Sequence, residues 1–148
     1  MVRALIVMAA AALGTACTQG MPEITIAEQD AKISPIIVGS GSVFMRIDNT
    51  GRGNDALMGA KTSIPGTIVE LHDIDEGKMI VRGSIPIPSK STVHLRPYGY
   101  HLMIFRMPKN VKEGCDFTLT LVFERSGEKQ VPLQFTPIAT KPRQPRDR

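Results

Sequence analysis

Hydrophobic and polar residues alternate with a period of two through much of the chain. Val43, Met45 and Ile47 stand against Phe44, Arg46 and Asp48, and Thr67, Val69 and Leu71 against Ile68, Glu70 and His72. Val93 and Leu95 flank His94. Phe117, Leu119, Leu121 and Phe123 alternate with Thr118, Thr120 and Val122, and Val131, Leu133 and Phe135 with Pro132 and Gln134. Successive side chains of an extended chain point to opposite faces, so each run predicts a strand. Between the runs, Gly and Pro recur about every eight to twelve residues, the spacing of an all-β sandwich or barrel. Turns are expected at Asn49-Thr50-Gly51, Glu76-Gly77, Pro97-Tyr98-Gly99 and Ser126-Gly127. Pro132 lacks a backbone N–H, which places the last strand at a sheet edge. No segment after residue 20 carries a helical stripe. The chain has 148 residues, which fits one domain with tails. Residues 18–33 read as a polar lead-in holding one strand, Glu23 to Ala27, ahead of a domain at 34–138.

The first residues change the picture of where this domain works. Met1-Val2-Arg3 precedes an apolar run from Ala4 to Leu13, and Gly14-Thr15-Ala16-Cys17 follows. This is the pattern of an export signal over residues 1–16, shorter than the about 20 apolar residues that span a bilayer. It resembles a bacterial lipoprotein signal, which implies a lipid anchor at Cys17, although Gly14 stands where such signals usually carry Leu. Cleavage near Ala16 into a soluble form is the alternative. Both readings place the mature protein in the periplasm.

Charge and cysteine content narrow the function. The formal net charge is +4, but the tail Lys141–Arg148 holds four basic residues and one acidic, and the body 17–140 has thirteen of each sign. A neutral body, in a chain with 5% aromatic residues, lacks the basic, stacking surface that nucleic acid requires. Residues 139–148 are expected to form a solvated, basic, Pro-rich disordered tail. With Cys17 at the processing point, Cys115 has no obvious partner, so no disulfide is expected; Cys115 reads as a reactive thiol, a metal ligand or, most often for a lone Cys at a strand entrance, a simply buried thiol.

The chemistry concentrates in Tyr100-His101-Leu102-Met103-Ile104-Phe105. On a strand, His101 and Met103 share a face, so an imidazole and a thioether lie within reach of one ion. Thioether sulfur is a soft donor that favours Cu(I) over Zn(II), Mg(II) or Ca(II). It binds without releasing a proton and is not consumed by disulfide formation outside the cytoplasm. Further donors come from His72 and Met79, at the two ends of the acidic turn Asp73–Lys78. His94 is expected to face solvent, Met45 and Met58 to lie in the core, and Met21 to be uncommitted; Met107 is a spare donor if the strand continues. No phosphate-binding loop and no nucleophile–His–acid set stands at a telling spacing, so the chain reads as a non-enzyme.

Residues 41–136 resemble the PCuAC family of periplasmic copper(I) chaperones. The matching stretches are Arg46-Ile47-Asp48-Asn49-Thr50-Gly51, Val69-Glu70-Leu71-His72, Gly99-Tyr100-His101-Leu102-Met103 and Phe117–Glu124. Twenty-one residues separate Met79 from His101 and one separates His101 from Met103, as in the family motif. Six residues, rather than the family's ten, separate His72 from Met79. If Arg82 matches the basic residue after the family's Met, Val81 takes the ligand position and Met79 stands two residues earlier on the same face.

The resemblance implies a cupredoxin-like β-sandwich and one Cu(I) held by His72, Met79, His101 and Met103. It also implies a copper-accepting partner: a cytochrome oxidase subunit or another copper chaperone. A monomer is expected. Two other classes compete. One is an exported β-sandwich interaction or assembly module whose metal site has degenerated. The other is a blue-copper electron carrier, which needs a Cys thiolate beside two His; Cys115 has no His near it in sequence.

Overall fold

The computed structural model describes residues 20–138; the expected signal, Cys17 and the tail 139–148 lie outside the described residues. Ten strands follow one another: β1 Ile24–Ile33, β2 Gly41–Asn49, β3 Asp55–Thr62, β4 Ile68–Asp75, β5 Lys78–Arg82, β6 Ile85–Ile87, β7 Ser91–Leu95, β8 His101–Phe105, β9 Asp116–Phe123 and β10 Gly127–Gln134. Among the described residues there is no helix. One sheet runs β1-β2-β8-β4-β5 with β7 also on β2, and the other runs β10-β9-β3-β6. All pairings between strands are antiparallel. The two sheets pack face to face, burying Val43, Met45, Ile47, Leu102 and Ile104 from one and Leu57, Leu119, Leu121 and Val131 from the other. At about 1.5–3 kcal/mol per buried large apolar side chain, this interior is the main favourable contribution to folding. β10 is an edge strand, which accommodates Pro132.

The lead-in strand is longer than its alternation suggests. β1 continues through Ile33, paired with β2 along its length, and a bulge falls between Ala27 and Asp30. Glu28 sits there at φ 54°. The extra residue shifts which side chains face inward, from Ile24 and Ile26 before the bulge to Ala31 after it, so a period-two count stops at Ala27. Met58 is likewise misplaced by alternation: a bulge between Leu57 and Gly59 leaves it exposed rather than in the core. Met107 moves the other way. Arg106 adopts φ 59°, the strand ends at Phe105, and Met107 turns into the core, so it is not a spare donor on the strand face.

β7 and β8 lie in succession along the same flank of β2. Met45 faces Leu95 and Val43 faces Leu102, and the chain between them, Arg96–Tyr100, bulges out as a loop closed by the Arg96 N–H donating to the Tyr100 carbonyl at 2.7 Å. β4 and β5 form a two-residue hairpin at Glu76-Gly77, whose φ values of 47° and 76° suit the type I′ turn that matches strand twist.

Two buried polar side chains tie loops to the sheets. Asn49 links the start of β1, the 50–54 loop and the end of β6. Asp55 accepts hydrogen bonds from Ser126 Oγ at 2.5 Å and from the N–H groups of Ala56, Arg125 and Ser126 at 2.8, 2.9 and 3.1 Å. Burial pushes its carboxyl upward, but these donors outweigh it and hold it below the ordinary carboxylate range. A group depressed in the folded state adds stability that is present above its unfolded value and lost as pH falls through the folded one. Urea unfolding should therefore show stability declining below about pH 4, and the decline should be shallower in Asp55→Asn. Parallel declines in the two proteins would remove Asp55 as a source of acid sensitivity.

Candidate metal centre

Strand register arranges the outer face of the larger sheet in rungs. Ser42, Met103 and Glu70 form one rung across β2, β8 and β4. His101, His72 and Val81 form the next, across β8, β4 and β5. Ile74 and Met79 form the third. Side chains at directly opposed positions share a face, with Cβ atoms about 5 Å apart, and those one rung away remain within reach of long side chains. His72, His101, Met103 and Met79 thus come together on one face. The short β4–β5 hairpin places Val81 opposite His72 and Met79 one rung further along.

The four differ in exposure. His72 and His101 are each 5% exposed and Met103 is 3% exposed, whereas Met79 is 50% exposed. Met79, His101 and Met103 line a depression of about 260 Å³ together with Ile36, Ile37 and Tyr98. His72 packs beside it, its ring 5.6 Å from that of His101 and 5.9 Å from Phe105, while Phe44 lies 6.4 Å from His101 on the other side. A larger groove of about 710 Å³ adjoins the depression between β1 and the Arg96–Tyr100 loop.

Hydrogen bonding leaves donor atoms free. His101 Nδ1 donates to the Gly99 carbonyl at 2.8 Å, which in the neutral ring leaves Nε2 as a lone pair. His72 Nε2 contacts Glu70 Oε2 at 2.8 Å, and its Nδ1 is buried with no partner. A buried nitrogen without a partner is costly and calls for an explanation, of which a bound ion is one. Ser42 Oγ donates to Met103 Sδ at 3.1 Å, engaging one of the two sulfur lone pairs. Among the described residues no three His, Cys, Asp or Glu side chains gather as a metal cluster. The donors on this face are two imidazoles and two thioethers, a set suited to a soft monovalent ion rather than a hard divalent one.

Other candidates go elsewhere. His94 is exposed, opposite Arg46. Met45 is in the core and Met21 is exposed. Cys115 is half-buried against the core, a free thiol whose Sγ accepts from the Lys112 N–H at 3.4 Å. The acidic turn is partly neutralised, since Arg82 contacts Asp73 at 2.8 Å. Ser42, Glu70 and the Gly99 carbonyl carry no signal as donor-positioning groups in an alternation count. The Glu70-x-His72 spacing, which puts both side chains on one face, is the one signal that could have found Glu70.

Comparison with known proteins gives three kinds of likeness. The family described as "Putative lipoprotein LpqE-like" matches residues 24–135. A curated relative, "Putative lipoprotein Lxx21020" of Leifsonia xyli subsp. xyli, is 32% identical over 92 residues, which are 57% of this chain and 55% of the relative. The chain thus spans about half the length of that relative. The copper-bound PCuAC domain from PmoF2 superposes with a TM-score of 0.65 at 23% identity, over 78% of this chain and 93% of that one. The apo PCuAC domain from PmoF1 gives 0.67 at 22% identity, over 77% and 94%. The solution structure of CuI-DR1885 from Deinococcus radiodurans gives 0.61 at 20% identity, over 82% and 83%. The fold is the cupredoxin-like β-sandwich of PCuAC domains.

Proposed function

The chain belongs to the LpqE-like family, and from that premise and the donor set on the outer face we propose that it is a carrier of Cu(I), not an enzyme. The observation that carries this reading is that His101, Met103 and Met79 line one depression while His72 packs against His101 beside it, with an imidazole nitrogen left unpartnered. Cu(I) is the cargo, and the four side chains are its ligands. The three buried donors stand in place before the ion arrives, so little conformational freedom is lost on binding. Met79 is half exposed and is the ligand that an incoming acceptor group displaces first. Transfer then proceeds by stepwise ligand exchange, with the acceptor's donors replacing the protein's one at a time and no change of oxidation state.

The resemblance to PCuAC chaperones motivates the proposed acceptor, a copper site of cytochrome oxidase or another copper chaperone. The family's lipoprotein description agrees with the proposal that Cys17 is lipidated and that the domain is held at the outer face of a membrane. The decisive experiment is anaerobic competition for Cu(I) against a chromophoric chelator. The expected result is one ion bound per chain, with no intense visible band on adding Cu(II). Failure of the protein to withdraw any Cu(I) from the chelator would remove the carrier reading and leave an exported interaction module.

A further inference from the structure

The two histidines of the site are held in opposite ways. His101 gives its Nδ1 proton to a backbone carbonyl, that of Gly99, at 2.8 Å. A carbonyl can only accept, so this ring carries its hydrogen on Nδ1 and offers Nε2. His72 meets a carboxylate instead, through Nε2 and Glu70 Oε2 at 2.8 Å. An ionised carboxylate also only accepts, so this ring carries its hydrogen on Nε2. The nitrogen left over is Nδ1, which is buried and bonds to nothing among the described residues.

Resting on the copper-carrier reading, we infer that Glu70 is a positioning residue that makes Nδ1 of His72 the metal donor, opposite in sense to Nε2 of His101. Register explains how the assignment is built in. Glu70 and His72 stand two apart on β4, so their side chains leave the same face and the carboxylate lies alongside the ring. Glu70 also faces Met103, so it sits inside the donor array rather than beyond it. Its side chain is 39% exposed while that of His72 is 7% exposed, so the carboxylate keeps part of its hydration and the ring does not. A hydrogen bond from a ligating imidazole to a carboxylate fixes the tautomer and ring orientation and raises the basicity of the opposite nitrogen. At His101 a neutral carbonyl does the same work with less polarisation. The two imidazoles are therefore inequivalent donors, each offering the nitrogen that its hydrogen-bond partner leaves free.

Histidine side-chain ¹⁵N spectroscopy of the purified protein tests this without relying on a transfer assay. In the metal-free wild type, His72 is expected to show a protonated Nε2 and an unprotonated Nδ1, with His101 reversed. Adding one equivalent of Cu(I) should shift the His72 Nδ1 and His101 Nε2 signals. In Glu70→Ala the His72 tautomer should become mixed and Cu(I) affinity should fall about 10- to 100-fold. Glu70→Gln, which keeps an acceptor oxygen, should restore most of both. A proton on Nδ1 of His72 in the metal-free wild type, a copper-induced shift at its Nε2, or wild-type affinity in Glu70→Ala would each overturn the inference. If the wild type binds no Cu(I), the carrier reading fails separately. The metal-free spectrum then decides only the tautomer: a proton on Nδ1 of His72 refutes the pairing with Glu70, and a proton on Nε2 keeps that pairing while the donor role falls with the carrier reading.

Discussion

Replacing His101 with Ala is expected to lower Cu(I) affinity by more than about 100-fold, beyond the range that groups outside the coordination shell cost. That is about 2.7 kcal/mol or more of binding free energy. His101 is the centre of the array. It shares a rung with His72, precedes Met103 on the same face of β8 and lines the depression beside Met79. Met103→Ala should cost a comparable factor, because its buried sulfur cannot be replaced by solvent. Met79→Ala should cost less, about tenfold by the same scale, since an exposed thioether already exchanges with water. The β4–β5 hairpin supplies a sharper variant. Val81 is the residue directly opposite His72, and Met79 lies one rung away. Adding Val81→Met to Met79→Ala should restore the lost affinity, because it returns a thioether to the face. Chelator competition on the series gives each ratio. If Met79→Ala matches the wild type, the site has three ligands. If His101→Ala does so, this face is not the copper site.

Most of the architecture was legible because it rests on alternation. β2, β4, β7, β9 and β10 each contain a run with a period of two, and each strand overlaps the run that pointed to it. Alternation fails wherever a residue departs from extended geometry. The bulge at Glu28 hid the second half of β1, the one after Leu57 exposed Met58, and the left-handed turn at Arg106 carried Met107 inward. The site was legible in part for the same reason. His101 and Met103 are neighbours on one strand face, so spacing alone pairs them. That His72 stands opposite His101 is a matter of inter-strand register, which no single-strand pattern encodes. Ser42 and the Gly99 carbonyl belong to that class, since they reach Met103 and His101 only after β2, β8 and the Arg96–Tyr100 loop are assembled. In the motif Asp48-Asn49-Thr50-Gly51, which contributed to the family resemblance, Asn49 bonds to loop backbone and not to the donors of the candidate site.

Asn49→Ala is expected to destabilise the domain by about 3–4 kcal/mol, the largest loss from any single polar side chain here. Asn49 is 1% exposed. Its Nδ2 donates to the carbonyls of Gly53, Pro88 and Ile87 at 2.8, 3.1 and 3.3 Å. Its Oδ1 accepts from the N–H groups of Gly51 and Glu23 at 3.0 and 3.1 Å. One amide therefore satisfies backbone groups from three segments, beside the backbone bonds that Thr50, Arg52 and Gly53 make to Glu23 and Met21 and that Lys90 makes to Gly51. Ala removes the amide from three buried partners, the Gly51 N–H and the Gly53 and Ile87 carbonyls, while the part-buried groups of Glu23 and Pro88 can turn to water; a buried group left unpaired costs about 1–3 kcal/mol before local relaxation. At about 3–6 °C per kcal/mol for a domain of this size, Tm should fall by about 10–20 °C. Asn49→Asp separates hydrogen bonding from volume. It keeps the shape, but a carboxylate only accepts, and it would face three carbonyl oxygens in a desolvated space. It should be at least as destabilising at neutral pH as Ala and should recover partly in acid, where a protonated carboxyl regains a donor. Thermal unfolding at both pH values checks the pair. If either variant melts within about 3 °C of the wild type at neutral pH, this amide is not what joins the 50–54 loop to β1 and β6. The Asp-Asn-Thr-Gly motif would then need another explanation.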